Sequence, residues 1–267
     1  ERKLMERVTG WCPYNAVLCG NSVGNDKAFI EHWMPSLAGY LSYRVIDVLT
    51  VVPIMIVGVA LPLLTSAWTS GDREKFKNVL SLAWSGLSML VLPIVVGTFF
   101  VARPLMVFVA GADFALSGDI LTILIFAAGA VFFGSLFGHT VVAVGKQRLM
   151  VWGYGLTAAL TILGYLVFIP RYSYYGAAWM TVFSEVFMSL LVFGMVFRTT
   201  RILPSLAKFW RALGAAAVMA AVLFFLPDTH VLVTLAVGVV AYGAALYWFK
   251  GFDKRLLKEI FWSEPLA

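Results

Sequence analysis

From residue 43 to residue 249 the chain is a series of long apolar runs separated by short polar, glycine- or proline-marked breaks. The runs lie at about 43–67, 79–101, 119–144, 149–169, 174–197, 211–226 and 230–249. Each is close to the roughly 17–25 mainly apolar residues that a helix needs to cross a bilayer. The pattern predicts an all-α fold, a polytopic membrane helix bundle of about seven transmembrane helices. Three regions follow from it: an atypical segment at 1–35, a transmembrane bundle at 36–250, and an interfacial tail at 251–267.

Composition agrees with that division. Hydrophobic residues make up 61% of the chain and charged ones 13%, and the mean hydropathy is +0.89. Such a chain cannot hide its apolar surface in one water-soluble core. The basic residues sort to alternate ends of the runs. Arg73, Lys75, Lys77, Lys146, Arg148, Arg198, Arg201, Lys208, Arg211, Lys250, Lys254, Arg255 and Lys258 share one side, and only Arg103 and Arg171 occupy the other. Basic residues near span ends stay in the cytoplasm. The asymmetry predicts a bacterial or archaeal cytoplasmic membrane protein with a cytoplasmic C-terminus. It also accounts for the net charge of +6 without a nucleic-acid partner, because no basic run exceeds a juxtamembrane cluster.

Residues 1–42 differ from the rest. They hold no sustained apolar run and no signal-peptide pattern, and they begin with Glu1. We expect either a fragment preceded by further spans or a genuine exterior segment. Cys12 and Cys19 could form a disulfide if that segment is exterior, although two cysteines make a weak framework. At the other end, Phe252, Leu256, Leu257, Ile260 and Phe261 fall on one helical face and Lys254, Arg255, Lys258 and Glu259 on the other. That arrangement suits a helix lying on the cytoplasmic leaflet, with membrane lipids as its partners.

Proline and glycine mark the spans. Pro53 and Pro62 lie in the first and Pro93 in the second. Each removes a helix hydrogen bond, which membrane helices tolerate where neighbours or water satisfy the freed carbonyl. Gly134 and Gly138 in the third span have the spacing that lets helix backbones approach closely, as do the small residues opening the fifth and sixth. Trp68, Trp152, Trp210, Tyr247 and Trp248 gather at one set of interfaces, and Tyr172, Tyr174, Tyr175 and Trp179 at the other. Amphipathic rings prefer headgroup level, so these read as anchors.

Candidate chemistry rests on the few ionisable residues inside the runs, since a charge at the bilayer centre costs about 2.5–3.5 kcal/mol on insertion scales. Glu185, near the middle of the fifth span, either exchanges a proton or coupling cation or serves as a neutral hydrogen bonder to a neighbouring helix. Arg44 and Asp47, one helical turn apart, either pair with each other or present a cation to an anionic head group. His139 is a second proton candidate or a helix-bridging hydrogen bonder. The cytoplasmic connections show no hydrolase triad, carboxylate pair, metal-ligand cluster or phosphate-binding glycine loop, so the expectation is a non-enzyme without cofactor or metal.

The order of several features is similar to that of a known family. The run Gly39-Tyr40-Leu41-Ser42-Tyr43-Arg44-Val45-Ile46-Asp47, then Pro53 and Leu61-Pro62-Leu63-Leu64, resembles the eighth span of polysaccharide and lipid-linked oligosaccharide flippases. These belong to the multidrug/oligosaccharidyl-lipid/polysaccharide exporter superfamily, and the likeness is to their O-antigen transporter type. Gly71-Asp72-Arg73-Glu74-Lys75, Pro93, Arg103-Pro104-Leu105, Ala110-Gly111-Ala112-Asp113-Phe114, Leu121-Thr122-Ile123-Leu124, Gly145-Lys146-Gln147, Ile169-Pro170-Arg171-Tyr172 and Gly176-Ala177-Ala178-Trp179 follow in the family's order. Two departures stand out. Ser173 occupies a turn position that usually holds glycine, and residues 1–35 do not resemble the seventh span.

The resemblance implies the C-terminal half of a fourteen-span, V-shaped transporter that rocks around a central cavity. Its substrate would be an undecaprenyl-diphosphate-linked glycan, flipped outward for surface polysaccharide biosynthesis. Arg44 would contact the diphosphate, with Asp47 holding its side chain at this substrate site, and a missing N-terminal lobe would complete the cavity, so residues 1–267 alone would not transport. A multidrug/toxin cation antiporter of the same superfamily is the alternative: a cation-rich cavity favours the anionic glycolipid, a carboxylate-lined one organic cations. A membrane-embedded glycosyl- or acyltransferase is a distant third reading. The orientation has a direct check: thiol-accessibility labelling of cysteines introduced near Asn78 and Asp228 should place the first inside and the second outside, and the reverse pattern would overturn the assignment.

Overall fold

The structure is a computed structural model that describes residues 18–20, 45–112, 115–226 and 229–251. It divides into two units, Glu1–Met55 and Ile56–Ala267.

Within the first unit, strands β1 (Leu18–Gly20) and β2 (Val45–Asp47) pair in parallel, in the register Leu18↔Val45, Cys19↔Ile46, Gly20↔Asp47. Parallel neighbours require a crossover connection, here residues 21–44. This corrects the expected first span: residues 45–47 are strand, and helix α1 (Val48–Thr69) begins only afterwards. Val45-Ile46 is apolar and β-branched, so a short run of this kind suits a strand as well as a helix. Asp47 thus closes a strand and does not lie within a helix. Arg44 lies outside the described residues, as do Cys12, the rest of the 1–17 segment and the 252–267 tail.

The second unit is helical throughout its regular elements. It holds the remainder of α1, then α2 (Arg73–Ala110), α3 (Ala115–Ala143), α4 (Gln147–Thr200), α5 (Ala207–Phe224) and α6 (Val231–Trp248). Five helices, α2 to α6, are long and apolar enough to cross a membrane. Gly71, at φ 73°, turns the chain into α2, where the Asp72 carboxylate accepts from the Lys75 N–H at 2.9 Å and Glu74 sits in the first turn. Acidic groups there complement the free N–H groups and the helix dipole. The helix then continues through Arg103-Pro104 to Ala110, past its expected end near 101.

Helix α4 is two segments. As a straight rod its 54 residues would reach about 80 Å, far beyond the roughly 30 Å of a bilayer's hydrocarbon. Ser173 breaks it, with φ 51° and ψ −131°. The halves fold back on each other: the Tyr165 hydroxyl lies 3.4 Å from the Thr181 hydroxyl, Thr157 Oγ1 lies 3.7 Å from Met188 Sδ, and Gly153 packs against Met195. Gly176 allows the tight return, because a Cβ there would stand 2.5 Å from the Phe168 carbonyl oxygen.

Helices α1, α2, α3 and the second segment of α4 enclose one core around Leu64, Phe76, Leu80, Leu136, Val141 and Val192. Helices α5 and α6 meet through Ala212, Ala215, Ala216, Met219, Ala245 and Leu246. Small side chains there permit close helix approach. This hairpin packs on α2, and one bond at the joint has a specific cause. Pro93 has no N–H to give to the carbonyl of Met89, four residues back. The Tyr242 hydroxyl, from α6, donates to that carbonyl at 2.9 Å.

A double-mutant cycle tests this repair. Tyr242→Phe should destabilise the purified protein by about 1–2 kcal/mol, since a buried carbonyl loses its donor. In a Pro93→Ala background the new N–H reclaims the carbonyl, and the cost of Tyr242→Phe should fall by about 1 kcal/mol. Equal costs in both backgrounds, measured by denaturant unfolding in detergent, would show the bond is independent of the proline.

Candidate functional site

Two of the four residues singled out from the sequence meet at one place. A cavity of about 280 Å³ lies between α3 and both segments of α4. Helix α3 contributes Gly134, Ser135, Gly138, His139 and Val142; the first segment of α4 contributes Met150 and Tyr154; the second contributes Glu185, Met188 and Ser189.

The helices are locked in register by one residue pair. The Ser189 hydroxyl donates to the Ala130 carbonyl at 2.7 Å, and Ser189 fills the space where a Cβ on Gly134 would go. Four residues on, the rings of Phe193 and Phe137 stand 5.0 Å apart. Helix α3 and the second segment of α4 therefore run parallel, with Gly134 level with Ser189. That register puts Glu185 level with about Ala130 and His139 nine residues further on, an axial separation of about 13 Å. The carboxyl and the imidazole occupy opposite ends of the cavity and do not touch.

Their local bonding differs. Nδ1 of His139 lies 2.8 Å from the Ser135 carbonyl oxygen. A carbonyl can only accept, so Nδ1 carries a hydrogen and Nε2 is the nitrogen that gains or loses a proton. Glu185 makes no hydrogen bond or ion pair with any described residue. The hydrogen-bonded carboxylic acid bridging to a neighbouring helix, one of the two roles expected for it, is absent from the described contacts. Apart from His139 the cavity wall has no basic side chain. Among the described residues no three His, Cys, Asp or Glu side chains gather in a way that could hold a metal ion.

Sequence reasoning missed Ser135, Ser189 and Tyr154. Ser135 has a local signal, since it lies one helical turn before His139. Ser189 acts through a contact with a helix distant in sequence, which no local pattern reveals. Of the other two candidates, Asp47 closes strand β2 in the first unit and Arg44 lies outside the described residues.

The site and its setting define a class: an apolar helical bundle with five helices long and apolar enough to cross a membrane, and a midhelix carboxyl opening on an interhelical cavity. No known protein family's sequence profile matches the chain. Over 79 residues it is 33% identical to the oligoribonuclease of Francisella tularensis subsp. tularensis (strain WY96-3418), and equally to that of Francisella tularensis subsp. novicida (strain U112). Over 51 residues it is 41% identical to the oligoribonuclease of Neisseria meningitidis serogroup A / serotype 4A (strain DSM 15465 / Z2491). These matches cover 29% and 19% of this chain respectively. The chain spans 39% of the length of the Francisella relatives and 27% of the Neisseria one.

Two expectations are corrected here. The resemblance to flippases does not hold: the relatives found are oligoribonucleases. The run Gly39–Asp47 that opened the resemblance ends in strand β2 rather than lying in a span. The remaining matches were of glycine and proline spacing, which polytopic proteins share for packing reasons. The expectation of a non-enzyme is likewise overturned, since the relatives carry the name of an enzyme.

Proposed function

We propose that residues 56–251 form a membrane-embedded transport bundle that exchanges an organic cation for a proton at Glu185. In this reading α1, α2, α3, the two segments of α4, α5 and α6 supply seven crossings of a cytoplasmic membrane, with lipids around them and the basic ends inside. The observation that carries it is Glu185: a midhelix carboxyl without a hydrogen bond or ion pair among the described residues, facing a cavity whose described lining has no Lys or Arg. A carboxylate in such a place is unsatisfied unless a proton, a cation or water meets it, and intramembrane ionisable groups typically mark ion or substrate pathways. Met150, Met188 and Tyr154 add the soft apolar and aromatic lining that suits an organic cation.

The test uses the full chain in lipid nanodiscs and tetraphenylphosphonium as the probe cation. Saturable binding that releases a proton is expected. Glu185→Gln keeps the shape but loses the charge, and should weaken binding about tenfold or more, the equivalent of a lost charge-assisted contact. Unchanged binding in a well-folded Glu185→Gln protein would overturn the proposal.

A second reading concerns the first unit alone: a segment of oligoribonuclease-like α/β structure that acts on short RNA. It is favoured by the named relatives and by the parallel β1–β2 pair. Gly20 and Asp47 stand at the carboxyl ends of their strands, where open α/β sheets place ligands. Stepwise shortening of an end-labelled oligoribonucleotide with Mg²⁺ or Mn²⁺, lost in Asp47→Asn, is the expected result. No shortening, or shortening indifferent to Asp47→Asn, would reject this reading.

A further inference from the structure

We infer that the cavity is a proton path from the 144–146 turn to Glu185, and that His139 relays the proton at the end nearest the turn. The inference rests on the exchange reading of Glu185 and supplies what that reading lacks, a route for the proton.

Four observations carry it. The cavity runs along α3 from Val131, near the level of Glu185, to Val142, two residues before the turn. At that end the wall comes within three residues of the stretch Gly145-Lys146-Gln147-Arg148, which is exposed and largely polar. Its volume of about 280 Å³ has room for several waters at about 30 Å³ each, and Ser135 and Ser189 offer polar atoms along the wall. The Ser135 carbonyl fixes the hydrogen of His139 on Nδ1 at 2.8 Å, which leaves Nε2 as the atom that exchanges.

Lys146 and Arg148 are both exposed on and beside the turn. They oppose the entry of any positive charge there, the excess proton included, and salt limits that opposition to about 8 Å. The titratable groups on the described wall are His139, Tyr154 and Glu185, and α2 contributes no lining residue. Toward the turn, the Glu185 carboxyl gives its proton to cavity water, the proton passes along the waters to Nε2 of His139, and the imidazolium releases it to solvent on the inner side. Loading of Glu185 from the turn is the reverse, and no other reactant is needed.

The test follows the Glu185 carboxyl by time-resolved infrared spectroscopy after a pH jump, with the full chain in nanodiscs. The carbonyl band lost in Glu185→Gln assigns the signal. His139→Ala should slow its rise and decay about a hundredfold, the low end of what a positioned proton-transfer group contributes. Added imidazole should restore the rate. His139→Asn retains an N–H for the Ser135 carbonyl but cannot carry a proton, so it should be slow while remaining folded. Val142→Trp should slow exchange by filling the mouth. Equilibrium tetraphenylphosphonium binding by the wild-type protein is measured in parallel. Wild-type exchange rates in His139→Asn would overturn the relay, even with cation binding intact. Absence of any band assigned to Glu185 would overturn the path, and with it the exchange reading.

Discussion

Backbone carbonyls in an apolar surrounding must find donors within the protein, and this requirement shapes the second unit. A helix meets it along its length, and difficulties arise where the helix is interrupted. At Pro93 the repair comes from outside α2: the Tyr242 hydroxyl takes over the carbonyl of Met89 and ties the α5–α6 hairpin to the bundle. At Ser173 the chain reverses, and Gly176 brings the returning backbone against Phe168 with no room for a side chain. Ser85 and Ser88, buried in α2, return their hydroxyls to carbonyls one turn back, at 2.6 and 2.7 Å. Most buried polar atoms of the core are thus satisfied locally; among the described residues Trp84 Nε1 is the exception, and the partly buried Glu185 carboxyl opens on the cavity instead.

The cavity exists because two helices are held at a fixed offset. Ser189 bonds the Ala130 carbonyl and fills the gap at Gly134, while Phe137 and Phe193 meet edge to face alongside. Closer approach is blocked by Ser189 itself, and sliding would break its hydrogen bond. Beside this seam the Met150 methyl, from the first segment of α4, lies 3.5 Å from where a Cβ on Gly138 would stand. The open space is a product of the same small residues that allow the helices to pack.

Much of the helical plan was legible from the chain. The reversal near 170–176 and the turn at 145–148 were marked by Pro170, Gly176 and Gly145, and the structure breaks at Ser173 and at Gly145. The end of α2 was misplaced because Arg103-Pro104 reads as a stop, although a proline removes only one hydrogen bond from a long helix. Strand β2 was misread because Val45-Ile46 leads straight into the apolar start of α1, and periodicity does not separate a short strand from a helix. Glu185 and His139 were each visible as rare ionisable residues in apolar runs. That they share a cavity was not, because it depends on the Gly134–Ser189 register, a contact 55 residues apart. The flippase resemblance failed for a related reason. Proline and glycine spacing reports how helices bend and pack, and many unrelated bundles bend and pack alike.

The Tyr242–Met89 bond also has a history in time. Its partners are 153 residues apart in sequence. At the usual 5–20 residues per second, the ribosome needs about 8–30 s to make that stretch. For that interval α2 is complete apart from its donor, with a carbonyl at its centre that no neighbouring helix yet serves. Water, a lipid headgroup or the insertion machinery must hold it until α6 arrives. Helix α6 therefore finishes a helix synthesised well before it, and a chain stalled before residue 242 leaves a defect in α2.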